Sequence, residues 1–160
     1  MCTPRPLRGE NINILFWNTN IPNADKEKTV NINESLVEIV LENNIDFISL
    51  AEYGADIQRL CNKLNSVSKK QYNLIPISKC DRIVGLLNTY YPVTYLNDET
   101  RYIIIKTVIG SKELIIATIH NISKLRYEDE DARLSLHEFH EDIIKYEIKS
   151  NCNHTLAIKY

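Results

Sequence analysis

Two short apolar runs, each ending on a polar residue, constrain this chain more than any other feature: Asn13 to Asn18 (Asn-Ile-Leu-Phe-Trp-Asn) and Asp46 to Glu52 (Asp-Phe-Ile-Ser-Leu-Ala-Glu). Runs of this length bounded by turn formers are buried strands. Between them Asn20, Pro22 and Asn23 break regular structure. Val30, Ile32, Leu36, Val37, Ile39, Val40 and Leu41 then recur at helical spacing as far as Asn43-Asn44. Strand, helix and strand in that order predict a right-handed β-α-β unit with two parallel neighbours. Parallel neighbours bring their carboxyl ends side by side, where open sheets present their sites. Those ends are Asn18 and Glu52.

Asp56 to Leu64 carries Ile57, Leu60, Cys61 and Leu64 on one face and reads as a short amphipathic helix. The pattern then changes to successive strands at Tyr72 to Ile77, Arg82 to Asn88, Arg101 to Ile109 and Glu113 to His120. Lys79-Cys80-Asp81, Tyr91-Pro92 and Gly110-Ser111 separate them in the manner of hairpins and a meander. Glu128 to Lys149 reads as one long amphipathic helix, and His154 to Ile158 as a further strand. The fold class expected is α+β, a mixed β-sheet flanked by helices, in a single domain over residues 1–160.

Charge and composition exclude several functions. Lys+Arg 19 against Asp+Glu 21 leaves a formal charge of -2, so no general positive field holds nucleic acid, and any polyanion contact is local. No apolar stretch approaches the roughly 20 residues of a membrane span, and the polar start Met1 to Arg8 lacks a signal-peptide apolar region, so a cytoplasmic location is expected. Cys2, Cys61, Cys80 and Cys152 show no CxxC spacing and suit reduced thiols better than a disulfide frame or a zinc site. The chain has no phosphate-loop, dinucleotide or nucleophile-elbow glycine motif, which removes the main support for those enzyme classes.

Several residues remain as candidates for chemistry. A carboxamide and a carboxylate at adjacent strand ends offer the oxygen ligands that Mg²⁺ takes, with waters completing its shell; Asn and Glu also end strands as plain caps and turn residues. His120 closes the most hydrophobic strand, Leu-Ile-Ile-Ala-Thr-Ile-His, so a rigid element positions an ionisable ring; it could equally cap a hairpin with Asn121 and Ser123. His137 and His140 stand three apart, but the order His137-Glu138-Phe139-His140 is not the zinc-peptidase pattern and suits a solvated helix face. Cys80 lies beside Lys79 and Arg82, whose charge favours a thiolate, with no evident base, and Cys61 lies on an apolar helix face.

Three stretches in fixed order carry a resemblance. They are Ile-Leu-Phe-Trp-Asn-Thr-Asn at 14–20, Asp-Phe-Ile-Ser-Leu-Ala-Glu at 46–52 and Leu-Ile-Ile-Ala-Thr-Ile-His-Asn at 114–121. Their order resembles the endonuclease/exonuclease/phosphatase superfamily of metal-dependent phosphodiesterases, where strands end in turn on Asn, a metal-binding Glu and His. The resemblance implies Mg (or Mn) held by Asn18 and Glu52, with His120 as the catalytic contact to the scissile phosphate. It implies nucleic acid or another phosphodiester, including phosphoinositides and phospholipids, as substrate. The family's Gly-Asp-x-Asn and Ser-Asp-His motifs do not occur in these 160 residues. The resemblance therefore covers the first half of the two-sheet α/β sandwich, and the expectation is an apparently truncated domain that is inactive alone. Two other functions stay open: a non-catalytic binding or regulatory module, and one half of a split enzyme completed by another chain. Because 101–109 and 113–120 are apolar on both faces, a missing second sheet would expose apolar surface and favour self-association, with 154–158 as a poorly paired edge.

Overall fold

The computed structural model describes residues 11–21, 26–120, 130–150 and 155–159. Its elements are β1 (Ile14–Ile21), α1 (Lys26–Glu42), β2 (Phe47–Tyr53), α2 (Ile57–Val67), β3 (Tyr72–Leu74), β4 (Ile83–Asn88), β5 (Val93–Glu99), β6 (Tyr102–Ile109), β7 (Lys112–Ile119), α3 (Glu130–Ser150) and β8 (Thr155–Lys159). The predicted β-α-β unit is present, with β1 and β2 parallel from Ile14 opposite Phe47 to Asn18 opposite Ala51. β5 is an element the sequence reading did not contain, and the strand expected over 72–77 is shorter, ending at Leu74. His154, Asn121, Ser123, Cys2 and Cys152 lie outside the described residues.

The α+β class with mixed strands flanked by helices holds, but the strands do not form one sheet. They divide into two sheets of four, ordered β1-β2-β4-β3 and β5-β6-β7-β8. Burial explains the division. Along β2 the residues alternate between two apolar environments: Ile48 and Leu50 pack with Leu36 and Val40 of α1 and with Leu60, Cys61 and Leu64 of α2. Phe47 turns the other way and joins Leu87 of β4 against Ile105 of β6 and Ile116 of β7. The second sheet repeats the arrangement, because Tyr102, Ile104, Ile115, Ala117 and Ile119 pack on Phe139 and Ile143 of α3. A strand apolar on both faces needs two covers, and here they are a helix layer and the opposite sheet. The layers run helix, sheet, sheet, helix.

This corrects the expectation of a bare apolar face on 101–109 and 113–120, since α3 covers one side of those strands and the first sheet covers the other. The last strand is also better paired than expected, running parallel to β7 over five positions from Ile115 opposite Thr155 to Ile119 opposite Lys159. What stays open in this sheet is its edge at β8, where Leu156 is exposed. Local chemistry sets the joints. Asp56 caps α2 by accepting from Gln58 N at 2.9 Å and Arg59 N at 3.2 Å. Gly110, at φ 61°, opens the two-residue hairpin between β6 and β7.

One carboxylate ties the loop before β4 to the opposite sheet. Asp98 on β5 is fully buried. It accepts from the backbone N–H groups of Ser78 at 3.0 Å, Lys79 at 2.5 Å and Cys80 at 2.7 Å, and from Ser78 Oγ at 2.9 Å. Burial alone would raise its pKa, yet the hydrogen bonds outweigh burial and leave the carboxyl below its ordinary value. A depressed folded pKa stabilises the protein above the unfolded value near 3.9, and that contribution is lost as pH falls through the folded value. Asp98→Asn is therefore expected to lower stability at pH 7 by about 2 kcal/mol and to flatten the acid limb of the urea midpoint against pH. An acid limb as steep as that of the parent would contradict this.

Candidate functional site

The site forms where β2 and β7 end over one another. Ser49 Oγ donates to Thr118 Oγ1 at 3.4 Å across the two sheets, and one turn of pleat further along, Glu52 and His120 meet. Side chains alternate along a strand, and on β7 Ile115, Ala117 and Ile119 face α3 while Ile116 and Thr118 face the first sheet. His120 continues the inward set. Its ring sits at the mouth of the sandwich, with backbone N donating to Arg101 O at 2.8 Å.

Alternation alone would send Glu52 to the helix side with Ile48 and Leu50. The backbone prevents this, because Glu52 adopts φ 51°, a left-handed value that is uncommon for a residue with a Cβ. The strand turns over at that point. Tyr53 takes the helix side, where its hydroxyl donates to Asn33 Oδ1 at 2.7 Å, and the Glu52 carboxylate reaches His120, with Oε1 3.3 Å from Nε2. A strained non-glycine residue held this way is often found where a side chain must be aimed.

Asn18 shares that face. On β1 Leu15 and Trp17 pack against the helix-side cluster and Ile14 against the inter-sheet cluster, so Phe16 and Asn18 fall on the inner side. Asn18 stands in register with Ala51, the residue before Glu52. Its side chain is exposed, and Oδ1 accepts from Asn20 N at 3.1 Å, leaving a second lone pair open.

The electrostatics of His120 follow from its place. Burial lowers its pKa, the Glu52 carboxylate opposes that shift, and the positive charges of Arg101 and Arg82 reinforce it. A neutral ring with its proton on Nε2, facing Glu52, leaves Nδ1 as the acceptor, and Nδ1 is buried with no hydrogen-bond partner among the described residues.

Asn18 and Glu52 could hold a hard divalent ion. Both offer oxygen, and Mg²⁺ is commonly bound by one or two protein ligands with waters filling the rest of an octahedron. No group of three or more His, Cys, Asp or Glu side chains gathers among the described residues, so a closed cage of the zinc kind is not what this site offers.

The other candidates lie elsewhere. His137 is exposed on α3 with its ring 3.2 Å from Glu141, an ordinary pair on a solvated helix face. Cys80 is a poor nucleophile, in line with the weak cysteine reading, because burial pushes its thiol up to about 11 despite the neighbouring Lys79 and Arg82. Cys61 is buried and gives its thiol proton to Tyr72 O at 3.3 Å. Sequence reasoning missed the supporting groups Arg101, Arg82 and Thr19. Arg101 could have been found by hairpin arithmetic, since residues equidistant from Gly110-Ser111 pair across β6 and β7 and place 101 opposite 120. Arg82 O and Thr19 Oγ1 act on Glu52, and no periodicity announces either.

No family model matches the chain, and no curated protein matches its sequence. Solved structures do match. TDP2 from C. elegans superposes with a TM-score of 0.62 at 19% identity, covering 94% of this chain and 47% of its own. D. rerio TDP2 complexed with single strand DNA product gives 0.58 at 15%, covering 92% and 58%. An endonuclease/exonuclease/phosphatase family protein from Leptotrichia buccalis C-1013-b gives 0.59 at 13%, covering 93% and 66%. The chain thus has the endonuclease/exonuclease/phosphatase fold, as its three strand-end motifs imply. It spans 47% to 66% of the length of these structures.

Proposed function

We propose that this chain is the amino-terminal part of a Mg²⁺- or Mn²⁺-dependent phosphodiester hydrolase of nuclease or phosphatase type. The observation that carries the reading is the turned-over carboxylate of Glu52, aimed at His120 across the mouth of the sandwich beside Asn18. Asn18 and Glu52 would hold the ion. Bound there, a divalent cation neutralises phosphate oxygens and the charge growing on the leaving oxygen. His120 supplies an Nε2–H that can donate to a phosphate oxygen on the same face, and its depressed pKa favours the neutral ring, one that can accept as well as donate a proton. The dry wall formed by Ser49, Thr118 and the inter-sheet core strengthens these charges by lowering the local dielectric. Nucleic acid is the substrate class favoured among phosphodiesters, on the strength of the D. rerio neighbour with its DNA product. A cytoplasmic setting agrees with the two free thiols of Cys61 and Cys80.

Residues 1–160 give a half-site in this reading. They would supply two metal ligands and one histidine, and the Gly-Asp-x-Asn and Ser-Asp-His motifs of the superfamily do not occur in them. The reading therefore includes a completing polypeptide, from the same gene or another, that brings the Asp-x-Asn and Asp-His functions. The 160-residue chain alone is expected to release no product from a chromogenic phosphodiester or a DNA oligonucleotide with Mg²⁺ or Mn²⁺. Reproducible metal-dependent turnover that disappears in Glu52→Ala would overturn the half-site and show that these residues suffice.

A further inference from the structure

The β1/β2 ladder is in register up to Asn18 opposite Ala51 and resumes at Ile21 opposite Tyr53, so β1 carries one residue more than β2 across the gap. This is a bulge, and bulges re-aim side chains. Each strand bears a left-handed non-glycine residue there, Asn20 at φ 49° on one side and Glu52 at φ 51° on the other. The regular backbone donors of the ladder are displaced at the gap. The hydroxyl of Thr19, itself buried, stands in for them, 3.1 Å from Ala51 O and 2.9 Å from Glu52 O.

Those two oxygens belong to the peptide units before and after Glu52. Rotation of the first about N–Cα and of the second about Cα–C defines the conformation of that residue, so one donor shared between both oxygens fixes their relative orientation. Glu52 N donates to Arg82 O at 2.9 Å and holds the first unit from the opposite strand. We propose that Thr19 is a positioning residue: its hydroxyl locks the left-handed turn at Glu52 and thereby aims the carboxylate at His120. Thr19 itself is buried, with its hydroxyl on Ala51 O and Glu52 O, so it acts through Glu52. The inference depends on the hydrolase reading only where metal affinity is the readout.

The test uses the full 160-residue chain, labelled for NMR, as wild type, Thr19→Val and Thr19→Ser. The three-bond H–N–Cα–H coupling of Glu52 is smaller for a left-handed φ than for an extended one, and it reports the turn directly. Thr19→Val keeps the volume and removes the donor, so the coupling is expected to rise to the extended value and Mn²⁺ affinity to fall about tenfold or more. Thr19→Ser is expected to keep both. A left-handed coupling retained in Thr19→Val overturns the assignment, whatever the metal does. Mn²⁺ binding that is undiminished in Glu52→Ala would instead remove the metal half-site and leave the coupling to decide Thr19. If Thr19→Val does not fold, the wild-type hydroxyl proton decides: a slowly exchanging Thr19 Oγ–H supports the lock, and exchange at the rate of an exposed threonine overturns it.

Discussion

Lys70→Met is expected to lower the unfolding free energy by about 3 to 5 kcal/mol. Lys70 and Asp46 form a buried pair 2.7 Å apart, with side chains 7% and 6% exposed. All three ammonium protons are used, on Asn44 O, on Ile45 O at 3.1 Å and on Asp46 Oδ1. Asp46 in turn accepts from Asn13 N at 3.1 Å and Asn88 Nδ2 at 3.0 Å, which fastens the starts of β1 and β2 to the end of β4. Ile45 O keeps the Tyr72 hydroxyl and Asn44 O keeps Asn13 Nδ2, so the cost of removing the cation falls on Asp46, whose buried negative charge loses its counter-ion and keeps only neutral donors. The network lies at the amino end of β2, opposite Glu52, so the loss is structural. Urea unfolding at pH 7 measures it, and a loss below about 1 kcal/mol would contradict the account.

The second large effect concerns chemistry. In a form of the protein that carries the completing residues, Glu52→Ala and His120→Ala are each expected to reduce turnover by about 10²-fold or more. The two losses should differ in kind. In the proposed reading Glu52 is the ion's one charged ligand, so excess Mn²⁺ should restore part of the rate lost without it. Without His120 the ion is still held, and added metal should restore nothing. Single-turnover rates across a Mn²⁺ titration separate the cases, and near-normal turnover by either variant would exclude the role assigned to it.

Asn18, Glu52 and His120 stood out in the sequence because each closes a short apolar run, although β1 and β2 run on past the first two, to Ile21 and Tyr53. The parallel pairing of β1 and β2 followed from the helical spacing of Leu36 and Val40 between them. β5 was not legible. Val93 to Glu99 is mostly polar, its register slips between Tyr95 and Asn97, and its one fully buried position is a charged residue, Asp98, satisfied by the distant backbone of 78–80 and the Ser78 hydroxyl. The division into two sheets was hidden for a related reason, since an apolar residue on a strand does not declare whether a helix or another sheet will cover it. Lys70 reads as surface charge in Ser68-Lys69-Lys70, and only the fold brings Asp46 to it. The direction of the Glu52 side chain was equally out of reach. It depends on a bulge and on the Thr19 hydroxyl, which are properties of a strand pair and belong to neither strand alone.

The metal half-site at Asn18 and Glu52 is the centre of this account, and Mn²⁺ binding to the 160-residue chain, followed by electron paramagnetic resonance, tests it most directly. One weakly bound ion per chain is expected for the wild type, with affinity at least about tenfold lower in Glu52→Ala and also reduced in Asn18→Ala. His120→Ala should bind the ion as the wild type does. Equal Mn²⁺ binding by wild type and Glu52→Ala, or no binding by the folded wild type at millimolar metal, would contradict it.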